Sequence, residues 1–308
     1  LFYFMPLPRH YKPMLASRKD RPFNDPDWIF EVKWDGYRMM AQVEKGKVSL
    51  RSRNDKDYTK RFELICKDLT KWKHDAILDG EMVVVREDGV SHFNSLENWY
   101  SAADGQLRYY VFDILWLDGK SLLEVPLLER KEILHQKFPK SKAICFNDHF
   151  PGNMGIDLYE QANKFKLEGI IAKHATSEYF PGARTKQWLK IKVDQWVEGI
   201  IVGYTKEREQ DKHFRRLLIA VKVGKELQYI GAVGTGFTQQ SMEHILRMVT
   251  EARKCPLAYR PDPNKATRFR KASTDIIYWV QPKVKCLIKY QEITAEGVMR
   301  HPSFKGIV

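Results

Sequence analysis

Short runs of β-branched and aromatic residues, each bounded by Gly, Asp or Asn, recur through the first two-thirds of the chain and predict strands. These runs lie at 28–35, 46–52, 77–85, 108–116, 169–173 and 186–193. Stretches with apolar residues at helical spacing alternate with them and predict helices at about 58–73, 128–138 and 156–166. The alternation of the two patterns predicts an α+β first domain.

The remainder of the chain is dominated by strand patterns. A single helix is predicted at 238–253, with Thr238 as its N-cap, and the strands are predicted at 196–204, 214–223, 226–233, 276–280 and 284–292. Five strands around one helix suit a small β-barrel such as the OB-fold. We therefore expect two domains, 1–194 and 195–308.

Length and composition agree with a folded two-domain protein. The chain has 308 residues, 43% of them hydrophobic and 12% aromatic, which excludes a disordered chain or a coiled coil. No apolar run reaches the ~18–20 residues that span a bilayer, and Leu1–Pro8 lacks the basic region of a signal peptide. The four cysteines are too far apart in sequence for a paired zinc or redox site. We expect a soluble cytoplasmic monomer, located at the nucleoid and without membrane association.

The net charge of +13 is unevenly distributed, because +9 of it falls within residues 195–308. A domain that lies against a phosphate backbone has this kind of charge excess. A basic surface that only keeps the protein soluble has the same composition, so charge alone leaves both interpretations open. Residues 255–275 are predicted to form a basic loop, which either contacts phosphates or is a solvated connection.

The first candidate for chemistry is the segment Trp28–Arg38. In an extended strand, Glu31, Lys33 and Asp35 share one face, and the aromatic residues and Val32 share the other. We expect one face to be core and the other to be a site. Taken alone, a lysine between two carboxylates is more often an ordinary ion pair at a strand edge.

Three further segments combine charge with a strand pattern. In Trp188–Lys192, Lys190 and Lys192 share a strand face with Trp188, and two lysines on one face of a buried strand require an anionic partner. In Asp79–Glu81 and Glu168–Lys173, a Gly lies beside acidic residues. Taken alone, each of these acidic segments is more often a turn.

Together and in this order, the segments resemble the covalent nucleotidyltransferase superfamily of ATP-dependent DNA ligases, RNA ligases and mRNA capping enzymes. The matching segments are Glu31–Arg38 (motif I), Ser52–Asn54 (motif Ia), Asp79–Glu81 (motif III), Tyr110–Asp113 (motif IIIa), Glu168–Lys173 (motif IV) and Trp188–Lys192 (motif V). Arg300–Gly306 is similar to a signature of the ligase module of bacterial ligase D, which acts in non-homologous end joining. In that family the signature leads into motif VI, Arg-x-Asp-Lys, which acts on the leaving pyrophosphate; this sequence stops before it, at Val308.

The resemblance implies that Lys33 attacks the α-phosphate of ATP and retains AMP as a covalent lysyl adduct. Because a free lysine is almost fully protonated at pH 7, we expect the pKa of Lys33 to be lowered by Lys190, Lys192 and a bound cation. By the same resemblance, Lys190 and Lys192 meet the α-phosphate, Glu81 meets the ribose hydroxyls and Arg38 meets the ribose. The resemblance further implies that the Phe112 ring stacks on adenine and that the Glu31 backbone recognises the adenine amino group.

The resemblance also assigns a metal site and a DNA contact. Glu168 is the leading ligand for Mg²⁺ or Mn²⁺, with Glu81 and Asp35 as lesser candidates, because hard cations prefer carboxylate oxygens. Ser52 and Arg53 are predicted to contact the phosphate at a nick, for which an arginine offers a two-point contact.

The function implied is an ATP-dependent DNA ligase that seals nicked or broken duplex DNA in double-strand break repair. Implied partners are a Ku-type end-binding protein and fused polymerase and phosphoesterase modules. The alternatives are an RNA ligase, a GTP-using capping enzyme, or a non-catalytic nucleic-acid-binding protein with an OB-fold. A Schiff-base lysine enzyme is a further option, but it has no use for paired lysines that face a phosphate.

Overall fold

The structure is a computed structural model that describes residues 11–86, 91, 96–97, 99, 105–139, 141–266, 271–294 and 296–308. The chain forms two compact units, Leu1–Val193 and Asp194–Val308. In the described part of the chain, no helix is both long and apolar enough to cross a membrane.

The described residues of the first unit include two sheets, three α-helices and a short 3-10 helix at Gly152–Met154. Its strands are β1 (Leu15–Arg18), β2 (Trp28–Val32), β3 (Tyr37–Glu44), β4 (Lys47–Ser52), β5 (Ala76–Val85), β6 (Gln106–Leu117), β7 (Lys120–Ser121), β8 (Ile144–Phe146), β9 (Gly169–His174) and β10 (Arg184–Lys192). Its helices are α1 (Glu63–Leu69), α2 (Leu127–Lys137) and α3 (Gly155–Lys164). One sheet has the strand order β1-β10-β9-β2, and the other has the order β4-β3-β5-β6-β7 with β8 added beside β6.

The second unit is built on one antiparallel sheet. Its strands are β11 (Gln195–Lys206), β12 (Arg216–Val223), β13 (Glu226–Val233), β14 (Ile276–Trp279), β15 (Lys285–Tyr290), β16 (Glu292–Ile293), β17 (Met299–Arg300) and β18 (Ser303–Ile307), and its helix is α4 (Gln239–Met248). The sheet order is β13-β12-β11-β15-β18, with β14 paired to β11. All five predicted strands are present, and β18 adds a sixth that the pattern did not predict.

Two predicted helices are shorter than expected because their flanking residues pair with strands. Residues before α1 are held against β4, where Tyr58 N–H donates to Leu50 O over 2.9 Å. Residues after α4 join the sheet, where Ala252 N–H donates to Trp279 O over 2.8 Å. The predicted N-cap of α4 is confirmed, since Thr238 Oγ1 accepts from the backbone of Ser241.

Two glycines permit close backbone contacts beside the strands that carry the motif residues. A Cβ on Gly36 would lie 2.0 Å from Met82 O, so the turn after β2 packs directly on β5. Gly169 has φ +142°, and a Cβ there would lie 2.2 Å from Ile191 O. The first contact holds the turn after β2 against β5, and the second holds the start of β9 against the end of β10.

The predicted division of segment 28–35 into a core face and a site face is wrong. The strand ends at Val32, and Ile29, Phe30 and Glu31 are all buried, so both faces of β2 are covered. The chain then turns, and Trp34 stacks on Tyr110 with ring centroids 4.0 Å apart. Lys33 and Asp35 therefore lie in a turn after the strand.

Candidate active site

Lys33 follows the last residue of β2 and is fixed through its backbone and its side chain. Its backbone N–H donates to Gly169 O over 2.9 Å, which extends the pairing of β2 with β9 by one residue. Its side-chain nitrogen contacts Glu168 Oε2. Lys33 thus lies where the motif I and motif IV segments meet.

Glu168 holds two lysines, one on each carboxylate oxygen. Oε2 contacts Lys33, and Oε1 lies 2.9 Å from the side-chain nitrogen of Lys192. Burial alone would raise the pKa of this carboxyl, but the two ammonium groups outweigh burial and lower the pKa. The arrangement is a charged bridge between the ends of β2 and β10.

The pKa of Lys33 is raised, so the expectation that it is lowered is wrong for this arrangement. Burial acts to lower the pKa of the amine, and the negative charges of Glu168, Glu81 and Asp35 outweigh burial. Lys33 is therefore a stable ammonium group among carboxylates.

Glu81 lies on β5, directly opposite Arg38 in the pairing of β3 with β5. Burial raises the pKa of its carboxyl to about 8, although Lys33 and Arg38 act in the other direction. Among the described residues, no three His, Cys, Asp or Glu side chains converge as a ready metal-binding group. The carboxylates proposed for a metal thus surround Lys33 without forming a complete coordination shell.

Lys190 belongs to a cluster of positive charges on β10 and nearby loops. The pKa of its amine is lowered by burial and then by the charges of Lys192, Arg184, Lys33 and Arg53. Trp188 of the same strand packs in a different core cluster from Ile191, so β10 does present alternate residues to opposite faces. Repulsion among these cations favours an anion beside Lys190.

Arg38 forms a buried two-point ion pair with Asp79. The Nε and Nη2 atoms of Arg38 lie 2.9 and 2.5 Å from the two carboxylate oxygens. The guanidinium carbon lies 5.3 Å from the centre of the Phe112 ring. Phe112 is partly exposed and contacts Trp188 edge-on, so it lies beside the charged cluster and is not sealed in the core.

The side chain of Glu31 belongs to a separate buried network. Its carboxylate oxygens lie 2.7 Å from the amines of Lys131 and Lys173, and Asn147 Nδ2 donates to it over 3.0 Å. Burial acts to raise the pKa of Glu31, and the two lysines more than compensate and lower it. Only the backbone of Glu31 is left for the predicted contact with adenine.

Ser52 and Arg53 lie at the end of β4. Ser52 Oγ accepts from Lys56 N–H over 3.2 Å, and Arg53 is exposed. They border a cleft of about 130 Å³ whose lining also includes Lys12, Met40 and Arg51. The charge of Arg53 contributes to lowering the pKa of Lys190, so this predicted DNA contact lies on the same side of the unit as the lysine cluster.

Three buried residues in or beside the motifs were not among the predicted site residues. The sequence pattern favours an acidic turn at Asp79, yet this residue is fully buried and binds Arg38. Lys173 ends motif IV, and its amine lies 4.2 Å from the centre of the Phe112 ring, with a pKa that burial lowers to about 8. Tyr179 lies outside all six motifs. For Asp79 and Lys173, the available signal was a charged residue within an apolar strand pattern.

Family models match both units of the chain. A model described as the ATP dependent DNA ligase domain matches residues 13–192, and one described as the ATP dependent DNA ligase C terminal region matches residues 210–307. The chain belongs to the ATP-dependent DNA ligases. This ligase therefore combines a nucleotidyltransferase domain with the C-terminal domain of that family.

Relatives of this ligase include multifunctional non-homologous end joining proteins named LigD. The Mycolicibacterium smegmatis protein is 32% identical over 97% of the chain, and the Pseudomonas aeruginosa protein is 33% identical over 98% of it. The chain spans only 38% and 36% of these two proteins. The crystal structure of the ligase domain of Mycobacterium tuberculosis LigD aligns with a TM-score of 0.56 at 29% identity, covering 97% of this chain and 95% of that one.

Proposed function

We propose that this ligase seals nicks or broken ends in duplex DNA through an AMP adduct on Lys33, and that it serves double-strand break repair. The observation that carries the proposal is the contact of Glu168 with both Lys33 and Lys192. It gathers a candidate nucleophile, a carboxylate and a phosphate-binding cation within one cluster. Membership of the ATP-dependent DNA ligases supplies the substrate class.

In the first step, the Lys33 nitrogen forms a bond to the α-phosphorus of ATP. Lys33 first loses one proton from its ammonium form, which frees the lone pair for the attack; the bond from that phosphorus to the bridging oxygen then breaks and pyrophosphate leaves. The nitrogen loses a second proton to solvent and keeps the third in the phosphoramidate. Lys190 and Lys192 stabilise the charge that develops on the phosphate oxygens. Because Glu168 holds Lys33 as an ammonium group, this contact must loosen before the attack.

The nucleotide is proposed to lie over Phe112, with its ribose toward Arg38 and Glu81. Phe112 is partly exposed beside Arg38, and Glu81 lies opposite Arg38 on the neighbouring strand, so the three side chains share one region of the sheet. The backbone of Glu31 reads the adenine amino group. ATP fits this cluster because the positive charges around Lys190 favour a phosphate and the ring offers a stacking surface.

Glu168 is the proposed ligand of Mg²⁺ or Mn²⁺, with Glu81 and Asp35 nearby. A hard cation that shares substrate phosphates needs only one or two protein carboxylates, which agrees with the lack of a ready three-ligand group among the described residues. When bound, the cation would neutralise charge on the phosphates. Binding it requires Glu168 to give up contact with at least one lysine.

The second and third steps act on DNA. An oxygen of the 5′-phosphate at the break attacks the adenylyl phosphorus and the bond to Lys33 breaks, which returns the amine. The 3′-hydroxyl oxygen then attacks the 5′-phosphorus and AMP leaves. Ser52 and Arg53 hold the nick phosphate. The second unit, which carries a net charge of +9 and is proposed to act as an OB-fold domain, binds the DNA backbone.

The relatives' names extend the proposal to cellular context. The LigD relatives are multifunctional and much longer than this chain, so we propose fused polymerase and phosphoesterase modules and cooperation with a Ku-type end-binding protein. We also propose that the ligase acts as a monomer at the bacterial nucleoid. These proposals are supported by similarity to the end-joining proteins.

The decisive experiment measures the intact mass of the chain before and after incubation with ATP and Mg²⁺. We expect a gain of one AMP, absent from Lys33→Ala and retained in Lys186→Ala, which removes an exposed lysine of β10. A gain specific to GTP would favour a capping enzyme. An AMP gain followed by sealing of RNA in preference to DNA would favour an RNA ligase, and lack of any adduct would favour a non-catalytic nucleic-acid-binding protein.

A further inference from the structure

Tyr179 lies in the segment between β9 and β10, outside all six motifs, and it is nearly fully buried. Its hydroxyl makes three hydrogen bonds, the longest of which it accepts from Arg38 Nη2 over 3.5 Å. It donates to Asp79 Oδ2 over 2.6 Å and accepts from Met14 N–H over 2.9 Å. The hydroxyl therefore joins the start of β1 to the motif III strand.

Asp79 has no exposed surface, and its partners occupy both of its oxygens. Oδ1 accepts from Arg38 Nε, while Oδ2 accepts from Arg38 Nη2 and from the Tyr179 hydroxyl. A buried carboxylate keeps one orientation only while its hydrogen bonds hold it. Tyr179 supplies the one neutral bond of this set, and it comes from a different part of the chain.

The same network fixes the Arg38 guanidinium. Its third nitrogen, Nη1, donates to Met14 O over 2.6 Å, so Met14 contacts the network through both its N–H and its carbonyl. Arg38 is thereby held beside the Phe112 ring and opposite Glu81. These are the side chains proposed to hold the adenine and the ribose.

We propose that Tyr179 is a positioning residue for nucleotide binding: its hydroxyl holds Asp79, and Asp79 holds Arg38 in the orientation that receives the ribose. The inference rests on the proposed function, because it assumes that the nucleotide lies beside Arg38. The hydroxyl carries the effect, since the ring packs edge-on against Trp188 at 5.6 Å and would do so without it. Burial also raises the pKa of Tyr179 well above its usual value, so the group stays a donor.

The test is Tyr179→Phe, which keeps the ring and removes only the hydroxyl. We expect the KM for ATP in self-adenylylation to rise about 5–30-fold, as for loss of a hydrogen bond within a charged network. The kcat should stay within about twofold, because Arg38 lies at the ribose and not at the reacting phosphorus. Rates are measured below each variant's unfolding temperature, so that lost stability does not enter the comparison.

Tyr109→Phe is the matched control. Tyr109 is equally buried, and its hydroxyl donates to Met39 O over 2.9 Å, with Leu78 O at 3.4 Å, and makes no hydrogen bond to the side chain of Asp79 or Arg38. We expect it to lower the melting temperature and leave the KM for ATP unchanged. Equal KM changes in the two variants, or an unchanged KM in Tyr179→Phe, would overturn the proposal.

A double substitution tests the route through Arg38. If Tyr179 acts through Arg38, then Tyr179→Phe should add little to the rise in KM already caused by Arg38→Ala. Full additivity of the two effects would overturn the proposed route. Failure of the proposed function is distinguishable, because then the wild-type chain forms no adduct with ATP that depends on Lys33.

Discussion

The carboxylate of Glu168 contacts the side-chain nitrogen of Lys33 directly. The residue proposed to attack ATP is therefore held as an ammonium group by the residue proposed to bind the metal. The side chain of Lys33 is held beside Glu168 by charge, so another positively charged side chain could take its place there. This separates the structural role of Lys33 from its chemical role.

We predict that Lys33→Arg abolishes the AMP adduct but leaves the fold intact. An arginine keeps the positive charge beside Glu168, yet it stays protonated and is no nucleophile. The melting temperature should change less than in Lys33→Ala, which removes one of the two ammonium groups that contact Glu168. Mass spectrometry and thermal unfolding of both variants test this, and an adduct on Lys33→Arg would place the nucleophile elsewhere.

We predict that Lys192→Ala slows self-adenylylation about 10²–10³-fold, the usual effect of losing one group that stabilises charge in a transition state. Lys192 is half-buried and bound to Glu168, whereas Lys186 of the same strand is exposed. Lys186→Ala is therefore the control, with an expected change below about threefold. Single-turnover rates of adduct formation at saturating ATP are compared for the two variants. Equal rates in Lys192→Ala and Lys186→Ala would contradict the role assigned to Lys192.

We predict that Asp113→Ala destabilises the first unit by about 3–5 kcal/mol. Arg130 donates to both oxygens of Asp113 at 2.8 Å, and neither side chain has any exposed surface, so the variant leaves a buried guanidinium without its counter-charge. Removing both charges, as in Asp113→Val with Arg130→Met, should restore much of the loss. Urea unfolding of the single and double variants measures this, and additive losses would show that the pair is not coupled.

We predict that Asp275 makes the second unit less stable as the pH falls into the acidic range. Burial acts to raise the pKa of this carboxyl, but hydrogen bonds from Arg216 and Thr205 outweigh it and lower the pKa below 3.8. The contribution of Asp275 to the free energy of unfolding is therefore complete when the pH is above the pKa of the unfolded state, near 3.8. That contribution is lost as the pH falls through the lower pKa of the folded state. Asp275→Asn should cost about 1–3 kcal/mol at pH 6. The difference in the free energy of unfolding between this variant and the wild type, measured by urea unfolding, should be smaller at pH 3 than at pH 6. An equal difference at the two pH values would contradict the prediction.

We predict that DNA binding is far more sensitive to salt than self-adenylylation. If the second unit neutralises about six phosphates, affinity should fall about 10³-fold between 50 and 200 mM salt. The reaction of Lys33 with ATP involves a half-buried cluster and should change little over that range. Titrations of nicked duplex and adduct measurements at the same salt concentrations test this, and parallel losses would argue against a separate DNA-binding surface.

The sequence predicted the elements well because strand and helix patterns are local. The predicted N-cap Thr238 and the separation of Trp188 from Ile191 both depend on spacing alone. The misses include β3, which is eight residues long, as well as shorter strands such as β18. Strand β18 is short and has Lys305 and Gly306 within it, so its place beside β15 depends on tertiary pairing.

The candidate site was predicted as a set of residues but not as a geometry. Glu31 was expected on a site face, yet its partners Lys131 and Lys173 lie 100 and 142 positions away in sequence. The direction of the Lys33 pKa depends on which of its charged neighbours is nearest, and spacing does not reveal that. Glu168 is nearest, so the pKa rises where the pattern of lysines suggested a fall.

Arg130 also donates to two main-chain oxygens, those of Val125 and Ser177, at 2.5 and 2.9 Å. These contacts depend on the path of the chain and not on the side chain at position 125. In divergent members of the family, position 125 is thus free to accept other residues that fit its surroundings without disturbing Arg130. Asp113 and Arg130, in contrast, should be exchanged only together, so the two positions are expected to covary.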